Sequence, residues 1–418
     1  MIRKIKSIQF AALILVLSVV FVQAVMGEEK DSPIAFLKKW SEKQSAIGNK
    51  IEKSHWAQAN LSKEQSNEAR QILWKWFKKN YKDSRLDSYK QKAIRLGDKV
   101  MKYEFKVFGE KPANGRSLFI SMHGGGGAPS RVNDSQWRNQ IRLYEPKEGI
   151  YVAPRAPTDT WNLWHQGHID PMFDQLILDM VLFQGVNPNK VYINGYSAGG
   201  DGVYQLAPRM ADRYAAAAMM AGHPNETKAD GLRNLPFALY MGGRDAAYSR
   251  NQKARDWKGF LKELQESDPA GYTHKVVIYP DYGHWMQGKD SEAFPWMTRF
   301  SRNSRPKKIV WLQDDVTHDA FYWIGVPEGK AKSRSLTKAE VKGQNIHIES
   351  DAREGFVVYL DDRLVDLDKP VSLYFNGKKM RDGIEPQRTI ENLYQTLVLR
   401  KDPAYIFPTI FELPAQNQ

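Results

Sequence analysis

The sequence predicts an α/β protein: a mainly parallel sheet covered on both faces by helices, preceded by a helical segment and followed by a small, mostly β region. Three observations carry this. Between about residues 100 and 300, the apolar runs "SLFISM", "GIYVAP", "KVYING", "YAAAAMMAG", "FALYMGG" and "HKVVIYP" are short and nearly unbroken, as strands buried on both faces must be, and helical patterns separate several of them. Ahead of that stretch the apolar residues fall at three-and-four spacing. Beyond about residue 305 they form short strand-like runs with turn signals between them. The implied parts are a leader over 1–27, a helical segment over 28–99, an α/β domain over 100–304 and a β-rich accessory domain over 305–418.

The leader joins a basic head (Arg3, Lys4, Lys6) to the apolar run "IQFAALILVLSVVFVQAVMG", which leaves through small residues near Ala24 and Gly27. That is the build of a secretory signal peptide. The run also approaches bilayer-spanning length, so an uncleaved N-terminal anchor is the alternative. Either way the rest of the chain is expected outside the cytoplasm, secreted or periplasmic, with no stable membrane association once the signal is removed. The absence of cysteine excludes disulfides, a thiol nucleophile and a cysteine-based metal site. The formal charge is +13, and residues 28–100 hold 17 Lys/Arg against 10 Asp/Glu. This reads as the solvated face of amphipathic helices. With no basic tract interleaved with aromatics, no nucleic-acid partner is expected.

In the helical segment, "NEARQILWKWFKKNY" places Ala69, Ile72, Leu73, Trp76 and Phe77 on one stripe with lysines opposite. Ser62 followed by Gln65 matches a capping box. The stripe needs a partner, and the domain that follows is the expected one. "VMKYEFKVF" alternates as a half-exposed strand, while "MFDQLILDMVLFQG" (apolar at 173, 176, 177, 180 and 181) and "ARDWKGFLKEL" read as helices. Past Pro306, "IVWLQDD", "AFYWIGV", "NIHIES", "GFVVYLDD" and "VSLYFNGKKM" read as strands, and Asn376-Gly377 is a hairpin turn signal.

The chemistry gathers at the strand ends. "VYINGYSAGGDGVY" sets Ser197 in a G-x-S-x-G pattern between a strand and a helix, where a tight turn would lift the hydroxyl above the sheet. "SLFISMHGGGGAP" follows an earlier strand with His123 and Gly124 to Gly127, a loop whose bare backbone can approach a substrate oxygen. "FALYMGGRDAAY" presents Asp245 after one later strand, and "HKVVIYPDYGHWM" presents His284 after the next. Asp281 is the rival acid, but it lies in the histidine loop itself.

The order Ser197, Asp245, His284, with the glycine loop ahead of all three, resembles the α/β-hydrolase superfamily. The nearest likeness is to bacterial secreted esterases of the feruloyl- and polyester-depolymerase-like kind, and to the prolyl oligopeptidase catalytic domain. The resemblance covers about residues 100 to 300. It implies Ser197 as nucleophile, His284 as general base and then acid, and Asp245 as the group that orients the imidazole. Ala198 N–H and either Gly125 or Gly126 N–H would form the oxyanion hole. The implied activity is hydrolysis of small-molecule or polymeric carboxylic esters without a cofactor or metal. A peptidase of the prolyl-oligopeptidase type shares the triad order, though the helical lead-in shows no propeller repeat. A non-catalytic binding protein of the same fold is a third reading. Trp161, Trp164, His223 and Trp285 are expected to line the substrate mouth, whereas His165, His168 and Asp170 have metal-ligand types without a supporting cluster. The short interval between "AAAAMMAGH" and "LPFALYM" leaves no room for a lid, so the site reads as open, shielded by the Trp161–His168 loop and the N-terminal helices.

Overall fold

The computed structural model describes residues 32–45, 51 and 54–415; the leader expected over 1–27 lies outside them. Eight strands form the central sheet: β1 Ala93–Leu96, β2 Lys99–Phe108, β3 Arg116–Met122, β4 Gly149–Pro154, β5 Val186–Tyr196, β6 Ala216–Met220, β7 Phe237–Gly242 and β8 His274–Tyr279. Their order is β1-β2-β4-β3-β5-β6-β7-β8. β2 runs antiparallel to β1 and β4, and every pairing from β4 to β8 is parallel. Parallel neighbours need crossovers, so the carboxyl ends of β3 to β8 share one rim where their loops collect. β4, β6 and β7 are buried at every residue, which is why they read as unbroken apolar runs.

Helix Ile169–Gln184 packs on that sheet through Phe173, Leu176 and Met180. Its opposite face is not solvated. Leu178 and Leu182 join a second core with Leu73, Trp76 and Phe77 of helix Lys63–Lys90, and with Ile390, Leu393 and Leu397 of helix Ile390–Arg400. Burying each of these large side chains contributes about 1.5–3 kcal/mol, enough to seat the N-terminal helices. Polar ties reinforce the seat: Tyr81 OH donates to Gln175 Oε1 at 2.6 Å, and Arg85 Nη2 pairs with Asp179 at 3.0 Å. The capping box forms in both directions, Gln65 N–H to Ser62 Oγ and Ser62 N–H to Gln65 Oε1. No helix among the described residues is long and apolar enough to cross a membrane.

One expectation needs correction. Residues 93–96 fall in a stretch read as helical but form β1, because Gly97 takes φ 56 and turns the chain back so that Leu96 meets Lys99. The C-terminal region is mostly β, as expected. Beside a five-stranded and a four-stranded sheet it holds helix Ile390–Arg400, which Thr389 caps by accepting from Asn392 N–H. The partner of the N-terminal stripe is therefore shared between the central domain and the far end of the chain. The Asn376-Gly377 turn takes φ 45 and 79 between the strands Val371–Phe375 and Lys378–Ile384.

The C-terminal sheets share one apolar core with the central sheet, through residues such as Trp311, Phe321, Tyr322 and Trp323. Buried Asp212 binds the two parts together. Its carboxylate takes Arg213 Nη1 at 2.7 Å, the Arg400 guanidinium and Tyr322 N–H, while its carbonyl accepts from Arg302 and Tyr405 OH. Burial alone would raise its pKa, but Arg213 and Arg400 hold it below the ordinary carboxylate value.

Candidate active site

β5 passes into helix Ala198–Arg209 through Ser197, whose backbone takes φ 59 and ψ −121. For a residue with a Cβ that conformation costs about 1–3 kcal/mol, so the surroundings must enforce it. A Cβ on Gly195 would stand 2.2 Å from Gly199 O, and one on Gly199 would stand 2.1 Å from Met122 O. The turn therefore closes only with glycine at both places. Ser197 N–H donates to Met220 O at 3.0 Å and pins the turn to β6. The first turn of the helix leaves the Ala198 N–H without an intrahelical partner, beside the positive end of the helix dipole.

His284 arrives from the loop after β8, and Asp245 from the loop after β7. Ser197 Oγ donates to His284 Nε2 at 2.9 Å, and His284 Nδ1 donates to Asp245 Oδ2 at 2.7 Å. Asp245 is buried, whereas the His284 side chain is 43% exposed, so the hydroxyl end of this chain opens to solvent. Asp281 points elsewhere: it is exposed and pairs with Arg244 at 2.8 Å. Tyr196, the variable residue of the serine motif, holds the histidine loop. Its OH donates to His284 O at 2.6 Å and accepts from the buried Met286 N–H at 3.0 Å.

The glycine loop hangs on His123. This imidazole is buried, donates from Nδ1 to Gly124 O at 2.6 Å and accepts Ala156 N–H at Nε2. Burial pushes its pKa down to about 4, which keeps it neutral and able to do both. Gly124 runs beside Ser197, since a Cβ there would lie 3.1 Å from the serine Cβ. Of the two expected oxyanion donors, Gly126 is withdrawn: its N–H donates to Asn133 Oδ1 at 2.8 Å, and Asn133 is itself held by Asp159. Gly125, at φ 107, has no acceptor for its N–H among the described residues.

The aromatic residues divide. Trp161 is 63% exposed, with its backbone against Gly126 and Gly127, and Trp285 is 51% exposed beside the Tyr196 ring. Trp164 does not line the mouth. It is completely buried, donates from Nε1 to His123 O at 2.9 Å and packs under the loop on Phe173, so its role is support. His223 is half-buried; its backbone N–H donates to Asp201 Oδ1 and its Nδ1 accepts Asn225 N–H. Asp201, one helical turn after Ser197, has its pKa pushed up to about 6 by burial. His165, His168 and Asp170 do not converge: Asp170 is bound by Arg209 and His318, while His165 packs against Trp161. Among the described residues, Glu226, Asp314 and Asp315 bring carboxylate oxygens within 4.8 Å of one another, and Arg334 already pairs with both aspartates.

Sequence reasoning passed over Tyr196, Asn133 and Asp201. Tyr196 and Asp201 stand inside the serine motif's own stretch, but their partners lie on other loops. Only position in the motif could have marked them.

Residues 150–313 match the dienelactone hydrolase family model. No curated protein sequence matches the chain. Among solved structures, similarity extends to a thermostable esterase (17% identity over 50% of this chain, TM-score 0.37), of which the match covers 62%. It extends also to a carboxylesterase from Mesorhizobium loti (17%, 50% of this chain and 99% of that one, TM-score 0.35) and to a ferulic acid esterase (16%, 50% and 96%, TM-score 0.33). The parallel sheet with its flanking helices has the architecture of an α/β-hydrolase fold, and within it residues 150–313 are similar to the dienelactone hydrolase family.

Proposed function

We propose that the protein is an exported carboxylic-ester hydrolase acting through Ser197, His284 and Asp245 by way of an acyl-enzyme. The observation that carries this reading is the unbroken hydrogen-bonded chain from Ser197 Oγ through His284 to Asp245 at 2.9 and 2.7 Å, set on a strained turn. Export rests on the basic, apolar leader of residues 1–27.

In this reading Ser197 Oγ attacks the ester carbonyl carbon while its proton passes to His284 Nε2. The carbonyl oxygen becomes an oxyanion facing the N–H groups of Ala198 and Gly125, and each such donor is worth about 10²–10³ in rate. His284 then gives its proton to the departing alkoxide, and the alcohol leaves. Water attacks the acyl carbon, returns a proton through His284, and Ser197 Oγ leaves with it. Asp245 stays ionised and holds Nδ1–H toward itself throughout. The exposed Trp161 beside the glycine loop and Trp285 beside Tyr196 support an open mouth that would take small or polymeric esters.

The test joins a fluorophosphonate probe to a panel of p-nitrophenyl esters and Xaa-Pro chromogenic peptides. Ser197→Ala is expected to abolish labelling and lower kcat by about 10⁴-fold or more with the melting temperature nearly unchanged. An unlabelled Ser197 in the active protein rejects the reading, and peptide turnover without ester turnover replaces it with a peptidase.

A further inference from the structure

Arg250 opens helix Arg250–Ser267, five residues after Asp245 and two after Tyr248. Its side chain is only 12% exposed. A guanidinium cannot shed its charge on burial, so it must find compensation in place. Among the described residues the one carboxylate within 4.0 Å of its nitrogens is Asp245, with Nη1 3.9 Å from Oδ1. That is the oxygen His284 does not use, because His284 Nδ1 binds Oδ2. The separation is too long for a hydrogen bond, so the link is a charge acting through space. Arg250 Nε is buried without an acceptor, which adds to the cost of keeping the group there.

Tyr248 seals the arrangement. Its ring is 77% exposed and lies over the guanidinium, 4.8 Å from centroid to carbon. To put it there, both Tyr248 and Ser249 adopt left-handed backbone, at φ 55 and 56, where neither residue type is favoured. Backbone strain, a buried cation and an unfilled donor thus coincide at one spot, directly behind the acid of the site.

We propose that Arg250 is a positioning residue: it fixes the Asp245 carboxylate toward His284 and, capped by Tyr248, sets by its charge the acid limit of activity. This rests on the triad reading above. Among the described residues, the other titratable groups that feel the Arg250 charge are Asp201 from helix Ala198–Arg209 and His223 from the loop after β6. His223 also feels the charges of Lys253, on the same helix as Arg250, and of Glu226, and Asp201 feels that of His284. Burial pushes Asp201 up to about 6 and holds His223 below its ordinary value. Toward acid pH the first group loses its negative charge, which leaves Asp245 as the anion Arg250 answers to. Without the guanidinium, the charge of Asp245 faces His284 uncompensated. The acid limb of kcat/KM then moves to higher pH.

The experiment records kcat/KM against pH for a p-nitrophenyl ester with the full chain and the variants Arg250→Gln, Arg250→Lys and Tyr248→Ala. Arg250→Gln is expected to lower kcat about 10–100-fold with KM within about twofold, and to move the acid limb upward. Arg250→Lys restores the limb's position because the charge returns. Tyr248→Ala keeps the charge but wets it, so its limb moves the same way by less and becomes sensitive to salt. Acid limbs that stay at the wild-type position in both Arg250→Gln and Tyr248→Ala overturn the proposal. If Arg250→Gln does not fold, the salt response of Tyr248→Ala decides. Fluorophosphonate labelling of wild-type Ser197 is scored separately: absence of label rejects the triad itself, whereas label with unmoved limbs rejects only the role of Arg250.

Discussion

Tyr196→Phe isolates the link between the serine motif and the histidine loop. The substitution removes one hydroxyl and keeps the ring, which packs 6.0 Å from His284 and 5.5 Å from Trp285. Two hydrogen bonds go with it, to His284 O at 2.6 Å and from Met286 N–H at 3.0 Å. Met286 is completely buried, so its N–H is stranded without water. A stranded buried donor costs about 1–3 kcal/mol and an ordinary lost bond about 1 kcal/mol, which puts the destabilisation at about 2–4 kcal/mol. In a chain of this size that lowers the melting temperature by several degrees. The functional effect should be larger. The imidazole keeps its side-chain bonds to Ser197 and Asp245, but its main chain is released, and a displacement of about 1 Å costs roughly 100-fold. The expected result is a fall of about 10–100-fold in kcat with KM little changed, read by steady-state ester hydrolysis beside calorimetry. A wild-type kcat in a destabilised Tyr196→Phe protein would refute the claim that this hydroxyl positions His284; an unchanged melting temperature would refute the energetic argument.

Two further outcomes follow from buried charge. His123 has an ordinary pKa of 6.5 and a folded value near 4, so it favours the native state only while neutral. Its contribution is complete above about pH 6.5 and is lost as pH falls toward 4, about 3 kcal/mol in all; His165, also pushed down to about 4 by burial, acts in the same direction. Urea midpoints at pH 7 and pH 4.5 should therefore drop less for His123→Asn than for the wild type, and parallel drops would contradict the assignment. A chain ending at residue 304 should be insoluble, because it strips Arg400 and Tyr322 from buried Asp212 and uncovers the shared core around Trp311 and Trp323. A soluble, cooperatively melting product would show instead that the C-terminal sheets are a dispensable module.

The sequence alone determined the central architecture, because the relevant signals are local. Unbroken apolar runs specify strands buried on both faces, and a serine between close-packed glycines specifies a strand-to-helix turn. The order of Ser197, Asp245 and His284 along the chain, each after its own strand, placed them on one rim before any contact was known. The helices over 63–90, 169–184 and 250–267 were legible for the same reason, as stripes at helical spacing. What the sequence left undetermined depends on partners far apart in the chain. Gly126 looked like an oxyanion donor until Asn133 claimed its N–H, and Trp164 looked like a wall of the mouth until burial made it a prop for His123. Helix Ile390–Arg400 escaped notice among strands, although its apolar stripe completes the core of the N-terminal helices. Arg250 is one more cation in a basic sequence; only the fold sets it 3.9 Å from the acid of the site and lays Tyr248 across it. Periodicity and spacing fix which face a residue occupies, but which groups meet across loops is settled by tertiary packing, and that decides whether a polar atom is free to react or already engaged.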